Sequence, residues 1–238
     1  LAELVHLENC EHVFGCALFG KYNVAAFEIG PVRFEPREVW LERKICEGDV
    51  SRITGRRIRR IWSGEKLRKR KQSFEAMRER DVRDAVGQCP YVCSVRTEGL
   101  ASEAGRLKAQ VAAHLAMAAV ALRWQTPSQA LAGFNLLGDP GARRQRSLMF
   151  MPGRKTISGG YLKGLPHGPA ISATDWKLEF ETNKADFTVI GEAISYFLSV
   201  GGVSSRPRLM NMLVQALLWF HEACRDEVDL MSVVKFSA

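Results

Sequence analysis

The side chains of this chain best placed to do chemistry are its cations, and their spacing suits phosphate better than catalysis. Between Arg52 and Lys71, ten residues are Lys or Arg and one, Glu65, is acidic. Arg52 leads into the cluster Arg56-Arg57-x-Arg59-Arg60, and a second cluster follows as Lys66-x-Arg68-Lys69-Arg70-Lys71. Such density raises a positive potential to which phosphate backbones respond by releasing counterions. Arginine predominates in the first cluster, and its guanidinium fork matches phosphate oxygens bidentately. Trp62 lies between the clusters, where its ring could stack on a base. The candidate nucleic-acid-binding residues are therefore Arg52, Arg56, Arg57, Arg59, Arg60, Trp62, Lys66, Arg68, Lys69, Arg70 and Lys71. Two other readings stay open: docking of an acidic protein partner, and a solvated face of local ion pairs. Glu75–Arg78–Glu79 and Arg80–Asp84 have the spacing of the latter.

Other reactive groups are sparser. Cys89-x3-Cys93 has one residue more between its cysteines than the usual zinc pair, and zinc needs further ligands. Cys10-x-His12-x3-Cys16 would supply them only if the fold brought it close. The bland alternative is buried free thiols, with Cys93 pointing inward beside Tyr91 and Val95. Of the histidines, His114 and His221 lie among apolar residues at helical spacing and suit a packed core. His221, Glu222 and Arg225 fall within about one helical turn and could serve acid–base chemistry. Ser158 to Gly168, which contains His167, is glycine-rich but lacks the Gly-Lys-Ser/Thr ending of a phosphate loop. It reads as a surface loop. No serine nucleophile elbow, paired-carboxylate motif or cofactor signature is present, so no catalytic or metal residue is assigned, and whether the chain is an enzyme stays open.

The charge is local. Arg43 to Asp84 holds 15 basic and 7 acidic residues, a difference of +8 that equals the net charge of all 238 residues. The remainder carries 19 of each sign. At 46% apolar and 25% charged, the chain has an ordinary globular composition. A pI near 9.4 favours anionic partners, among them nucleic acid, acidic protein and acidic membrane surfaces. Six irregularly spaced cysteines do not form a secreted disulfide framework, and reduced thiols suit a cytoplasmic location. No signal pattern opens the chain and no apolar run reaches the ~20 residues of a membrane span. Leu1 in place of Met, and an apolar helical pattern (Leu230, Val233, Val234) running up to Ala238, suggest a fragment.

These groups must be positioned by the following elements. HVFGCALF (12–19) and VAAFEI (24–29) read as strands joined by a Gly20–Asn23 hairpin turn, with VRF (32–34) a third. Pro36 opens a helix over Arg37–Cys46. Ser51 caps a helix to Trp62, Ser63-Gly64 breaks it, and Glu65–Val86 makes a second, solvated helix. Tyr91–Thr97 is a strand, with Tyr91, Cys93, Val95 and Thr97 on one face and Val92, Ser94 and Arg96 on the other. Ser102 caps a long helix to Trp124. Residues 128–134 allow one helical turn, Ser147–Met151 a short strand, and 152–173 a loop. Trp176–Glu181 alternates and is taken as a strand; its rival is a helix capped by Thr174 or Asp175. Asp186–Leu198 and Pro207–Cys224 are helices with apolar faces, and Asp226 or Asp229 caps a last one. The fold class is α+β: a basic β-containing region over 1–90, then a mainly helical region over 91–238.

Ala216-Leu-Leu-Trp219-Phe-His221-Glu-Ala-Cys, followed by Asp229-Leu-Met-Ser-Val-Val-Lys-Phe236-Ser-Ala, resembles the opening helices of Apea-like HEPN domains. Val92–Trp124, a strand and a long Ala-rich helix, is similar to the region preceding that domain. The resemblance covers about half of the chain and is one of pattern. It implies a truncated, all-helical, RNA-associated module, often a ribonuclease of prokaryotic defence or toxin systems. The family's catalytic signature is Arg, four to six residues, then His. Arg106 to His114 and Arg206 to His221 are both spaced too widely, so no catalytic position carries over, and the motif would lie on a later helix. Together these readings give a nucleic-acid-binding protein, RNA ahead of DNA, of a prokaryotic defence-type system. The alternative is a scaffold or regulatory subunit whose basic helix docks an acidic partner. Neither reading involves a membrane, and either allows an oligomer.

Overall fold

The computed structural model describes residues 8–19, 24–68, 71–123, 136, 148–150 and 171–225. Their centre is an antiparallel sheet of five strands: β1 (Glu8–Cys16), β2 (Phe27–Ile29), β3 (Val32–Pro36), β4 (Tyr91–Leu100) and β5 (Leu148–Phe150), in the order β2-β3-β4-β1-β5. The helices are α1 (Arg37–Cys46), α2 (Arg52–Trp62), α3 (Phe74–Val86), α4 (Ser102–Ala121), α5 (Ala173–Thr182), α6 (Lys184–Leu198) and α7 (Pro207–Arg225). The class is α+β, as the sequence indicates. β4, from the second region, pairs with β1 and β3 of the first, so both regions share one sheet.

Strand alternation divides the core in two. Phe14, Cys16, Phe34, Tyr91, Cys93 and Val95 point to one face and pack beneath α4, α5, α6 and α7. Val13 and Val92 point to the other, beneath Trp40 and Leu41 of α1, Ile58 and Trp62 of α2, and Val82, Ala85 and Val86 of α3. With helices on both sides, β1 and β4 are buried on both faces, which is why they read as apolar runs. The facing of Tyr91–Thr97 is as the alternation predicts.

Three expectations are corrected. β1 pairs with β4 and β5, not with β2, so the expected hairpin does not form; residues 20–23 lie outside the described set. A long β4 offers β1 a full-length ladder that the three-residue β2 cannot. Second, Trp176–Glu181 is helical. Ser172 caps α5 by accepting from the Asp175 amide at 3.0 Å. Trp176 and Phe180, one turn apart, meet the Phe27 ring at centroid distances of 5.0 and 5.4 Å. Leu178, which the strand reading placed beside them, is 66% exposed. Third, α3 begins at Phe74, not Glu65, because Ser73 supplies a cap to the Ala76 amide at 3.2 Å. The residues 65–68 are not helical.

Of the other boundaries, β1 runs over Glu8–Cys16 where 12–19 was expected, and β2 over Phe27–Ile29 where 24–29 was expected. Ser51 caps α2 through the Thr54 amide as expected. Ala101, not Ser102, holds the cap position of α4 and makes no side-chain bond there, and the helix stops at Ala121. The residues 128–134, the 152–170 part of the loop and the segment after Arg225 lie outside the described residues.

Candidate nucleic-acid interface

The basic stretch separates into cations that hold the protein together and cations that face outward. α2 buries Thr54, Gly55, Ile58 and Trp62, which occupy one side of the helix at helical spacing. The opposite side carries Arg52, Arg56 and Arg60, all exposed, at i, i+4 and i+8. Between them Ile53 is 62% exposed. Arg57 and Arg59 lie on the two flanks and brace α2 against its neighbours. Arg57 pairs with Glu79 of α3 at 2.6 Å, and Arg59 pairs with Glu42 and, at 3.8 Å, Glu38 of α1. Ser51 and Thr54 both donate to Glu75 of α3, further fixing the helix.

Arg57 has a second task. Its Nη2 donates to the Arg68 carbonyl at 3.0 Å, while the Glu65 amide donates to the Arg60 carbonyl at 3.0 Å. These bonds hold the residues 65–68 against α2, so Lys66 and Arg68 extend the outward basic surface. Arg60 pairs with Glu65 at 2.7 Å, and both side chains are about half exposed. Such exposed pairs contribute little to stability and exchange readily for another anion. Among the described residues Arg52, Arg56, Lys66, Arg68 and Lys71 take part in no ion pair, and all are exposed. Lys69 and Arg70 lie outside the described residues.

Trp62 is not part of this surface. It is 6% exposed within the α1–α3 core, and the Arg37 guanidinium covers its ring at 4.9 Å from the centroid. The expected base-stacking role is therefore corrected: position 62 falls on the buried side of α2 with Ile58. The sequence carried the signal for this division, because Thr54, Ile58 and Trp62 share a helix face opposite Arg52, Arg56 and Arg60. The bracing partners Glu79, Glu38 and Glu42 belong to other helices, and α2's own sequence gives no hint of them.

The upstream cations are used internally. Lys44, 2% exposed, reaches Glu11 of β1, Glu47 at 2.7 Å and Asp49 at 2.8 Å. Arg43 bridges Glu11 at 2.9 Å, Glu35 of β3 at 2.6 Å and Glu47 at 3.0 Å. Burial by itself would raise the Glu11 carboxyl, but hydrogen bonds and charge from Arg43 and Lys44 outweigh it and hold the group at about 2. Against their own desolvation, Glu35 and Glu11 push Arg43 upward, and Glu11, Asp49 and Glu47 push Lys44 upward. This network ties α1 to the sheet and leaves neither cation for a ligand.

The remaining candidates do not converge. Cys10, Cys16, Cys89 and Cys93 are buried and take part in no disulfide. Burial pushes Cys89 up to about 12 and Cys93 higher still, so both are protonated at neutral pH. No group of three or more His, Cys, Asp or Glu among the described residues has metal-binding geometry. His12 is fully buried, bonded through Nε2 to Thr97 Oγ1 at 3.1 Å; burial first, and the Arg106 charge second, lower it to about 4. His221 is 2% exposed and stacks on His114 with centroids 4.4 Å apart. Its Nδ1 lies 3.8 Å from Glu222, while the Arg225 side chain is outside the described set. A base so enclosed is out of reach of a substrate. Among the described residues no helix is long and apolar enough to cross a membrane. Compared with known proteins, the chain matches no family model, no curated protein and no solved structure.

Proposed function

We propose that the protein binds nucleic acid through phosphate contacts made by Arg52, Arg56 and Arg60, extended by Lys66, Arg68 and Lys71. The observation that carries this reading is the outward row of arginines on α2, two of which have no acidic partner among the described residues. A folded chain ordinarily disperses or pairs its cations, and this one concentrates them on a helix braced by its flanking arginines. RNA ahead of DNA, and a role in a prokaryotic defence-type system, rest on the resemblance of Ala216–Cys224 and its surroundings to Apea-like HEPN domains. No catalytic step is assigned.

The test is fluorescence anisotropy with labelled RNA and DNA across a salt series. Replacing Arg52, Arg56 and Arg60 together with Gln removes three phosphate contacts. Affinity at low salt falls at least tenfold, and the slope of log K against log salt becomes shallower by roughly 2–3. Unchanged affinity and slope in the triple variant would overturn the reading. The competing reading is an acidic protein partner, and exposed Ile53 among the arginines favours it. It requires binding that survives moderate salt and is lost in Ile53→Ser.

A further inference from the structure

Resting on the nucleic-acid reading above, we infer that the ligand is a duplex, gripped by its strand phosphates, and not a single strand read through its bases. Three features of the surface converge on this.

The first is shape. Arg52, Arg56 and Arg60 form a row that winds by about 80° along the outer side of the helix, fixed from both flanks by the Arg57–Glu79 and Arg59–Glu42 pairs. Single-strand binders instead run the backbone through a positively charged groove. Among the described residues, two open grooves of about 830 and 840 Å³ are lined by other elements. One runs along α6 from Lys184 to Ser199, and the other lies between Val24–Phe27 and α5.

The second feature is the loss of the stacking platform. Sequence-tolerant single-strand binding relies on aromatic faces against successive bases. In the described part of residues 37–90 the aromatics are Trp40, Trp62 and Phe74. Trp40 and Trp62 are buried. Phe74, 38% exposed, already has the Arg78 guanidinium over its ring at 5.2 Å. Among the described residues of this stretch no uncovered ring lies beside the arginine row for a base to stack on.

The third feature is length. Arg60 lies eight steps beyond Arg52 along the helix, which at 1.5 Å per residue is an axial rise of about 12 Å. The major groove of B-form DNA is about 12 Å wide. The ends of the row can thus meet phosphates of both strands at once, and Arg56, about 6 Å along the axis from either end, is within an arginine side chain's reach of a phosphate on one strand or the other. A single strand offers phosphates of one strand only, with a lower charge density, and has no second edge for the far arginine.

The experiment compares one sequence in four forms with the intact chain: double-stranded DNA, double-stranded RNA, and the single strand of each, at matched low salt. Duplex DNA or duplex RNA binds at least tenfold tighter than either single strand, and the preference collapses in the Arg52, Arg56, Arg60 to Gln variant. Duplex DNA above duplex RNA marks the B-form groove as the better fit; the reverse order keeps the duplex inference and discards the groove-width argument. Single strands binding as tightly as duplexes, with loss in the triple variant, overturn the duplex inference and leave nucleic-acid binding standing. No binding by any form overturns both. Circular dichroism of the variant controls for folding, since the three side chains are exposed and make no core contact.

Discussion

Glu11 and His12 are adjacent in β1 and face opposite sides of the sheet, and each is held far from its ordinary protonation behaviour. The Glu11 carboxyl, at about 2, stays ionised between Arg43 and Lys44. The His12 ring, at about 4, stays neutral beside Thr97 under α4. Gly105 allows that approach, because a methyl there would sit 3.1 Å from His12 Nε2. Both groups are depressed in the fold, so both stabilise at high pH and lose that stabilisation on acidification. The windows differ. For His12 the contribution is complete above about 6.5 and is lost as pH falls toward about 4. For Glu11 it is complete above about 4.5 and is lost toward about 2. Each spans roughly two to three pH units, on the order of 3 kcal/mol. Chemical denaturation of wild type from pH 7 to 2.5 is expected to show two successive losses. His12→Gln removes the upper one and Glu11→Gln the lower, the latter lowering stability at neutral pH as well because Lys44 and Arg43 lose a buried partner. A His12→Gln profile parallel to wild type between pH 6.5 and 4 contradicts the assignment.

At the scale of elements, what the sequence discloses depends on whether the deciding contacts are local. α2 was legible from Ser51 to Trp62 because its cap, its apolar face and its breaker all lie within the segment. α5 was not, because Trp176 and Phe180 share a face at either period and Leu178 between them favoured the strand. The decision came from Phe27, roughly 150 residues earlier, which packs against Trp176 and Phe180 together. The β1–β2 hairpin failed for the same reason: β4 is remote in sequence and the better partner. The candidate site divides likewise. The outward arginines follow from α2's own periodicity, but only the fold shows that Arg57 and Arg59 are braces and that Trp62 lies inside. Some element contacts depend on a missing side chain. Gly191 in α6 lies against Gly30 in the β2–β3 turn, and a Cβ on Gly191 would sit 2.6 Å from the Gly30 nitrogen. Gly30 has φ +57° and cannot yield easily. Gly191→Ala therefore forces α6 away from the sheet edge and costs about 1–3 kcal/mol. The check is the urea midpoint, which is expected to drop without a change in slope; an unchanged midpoint rejects this contact.

For the molecule as a whole, the sheet is a partition between two exteriors of different chemistry. The α1–α3 side presents the arginine row. The other side presents α7, where Leu209, Met212 and Trp219 are 37%, 70% and 46% exposed at spacings of 3 and 7. Those residues with Ala216 make one apolar stripe with no cation inside it, so phosphate has no reason to settle there. Among the described residues the two layers have separate cores, joined through strands buried on both faces. A ligand on α2 is therefore expected to act on the α1–α3 layer and leave the far layer as it was, because the two buried clusters meet at the sheet. Hydrogen exchange with and without a saturating duplex tests this directly. Amides of Arg52–Trp62 and of residues 65–68 gain protection, along with the facing ends of α1 and α3, while α6 and α7 exchange as in the free protein. Protection confined to α7 would put the nucleic acid on the wrong side of the sheet. Protection on both sides would show that the sheet transmits binding, and that the two helical layers respond as one body.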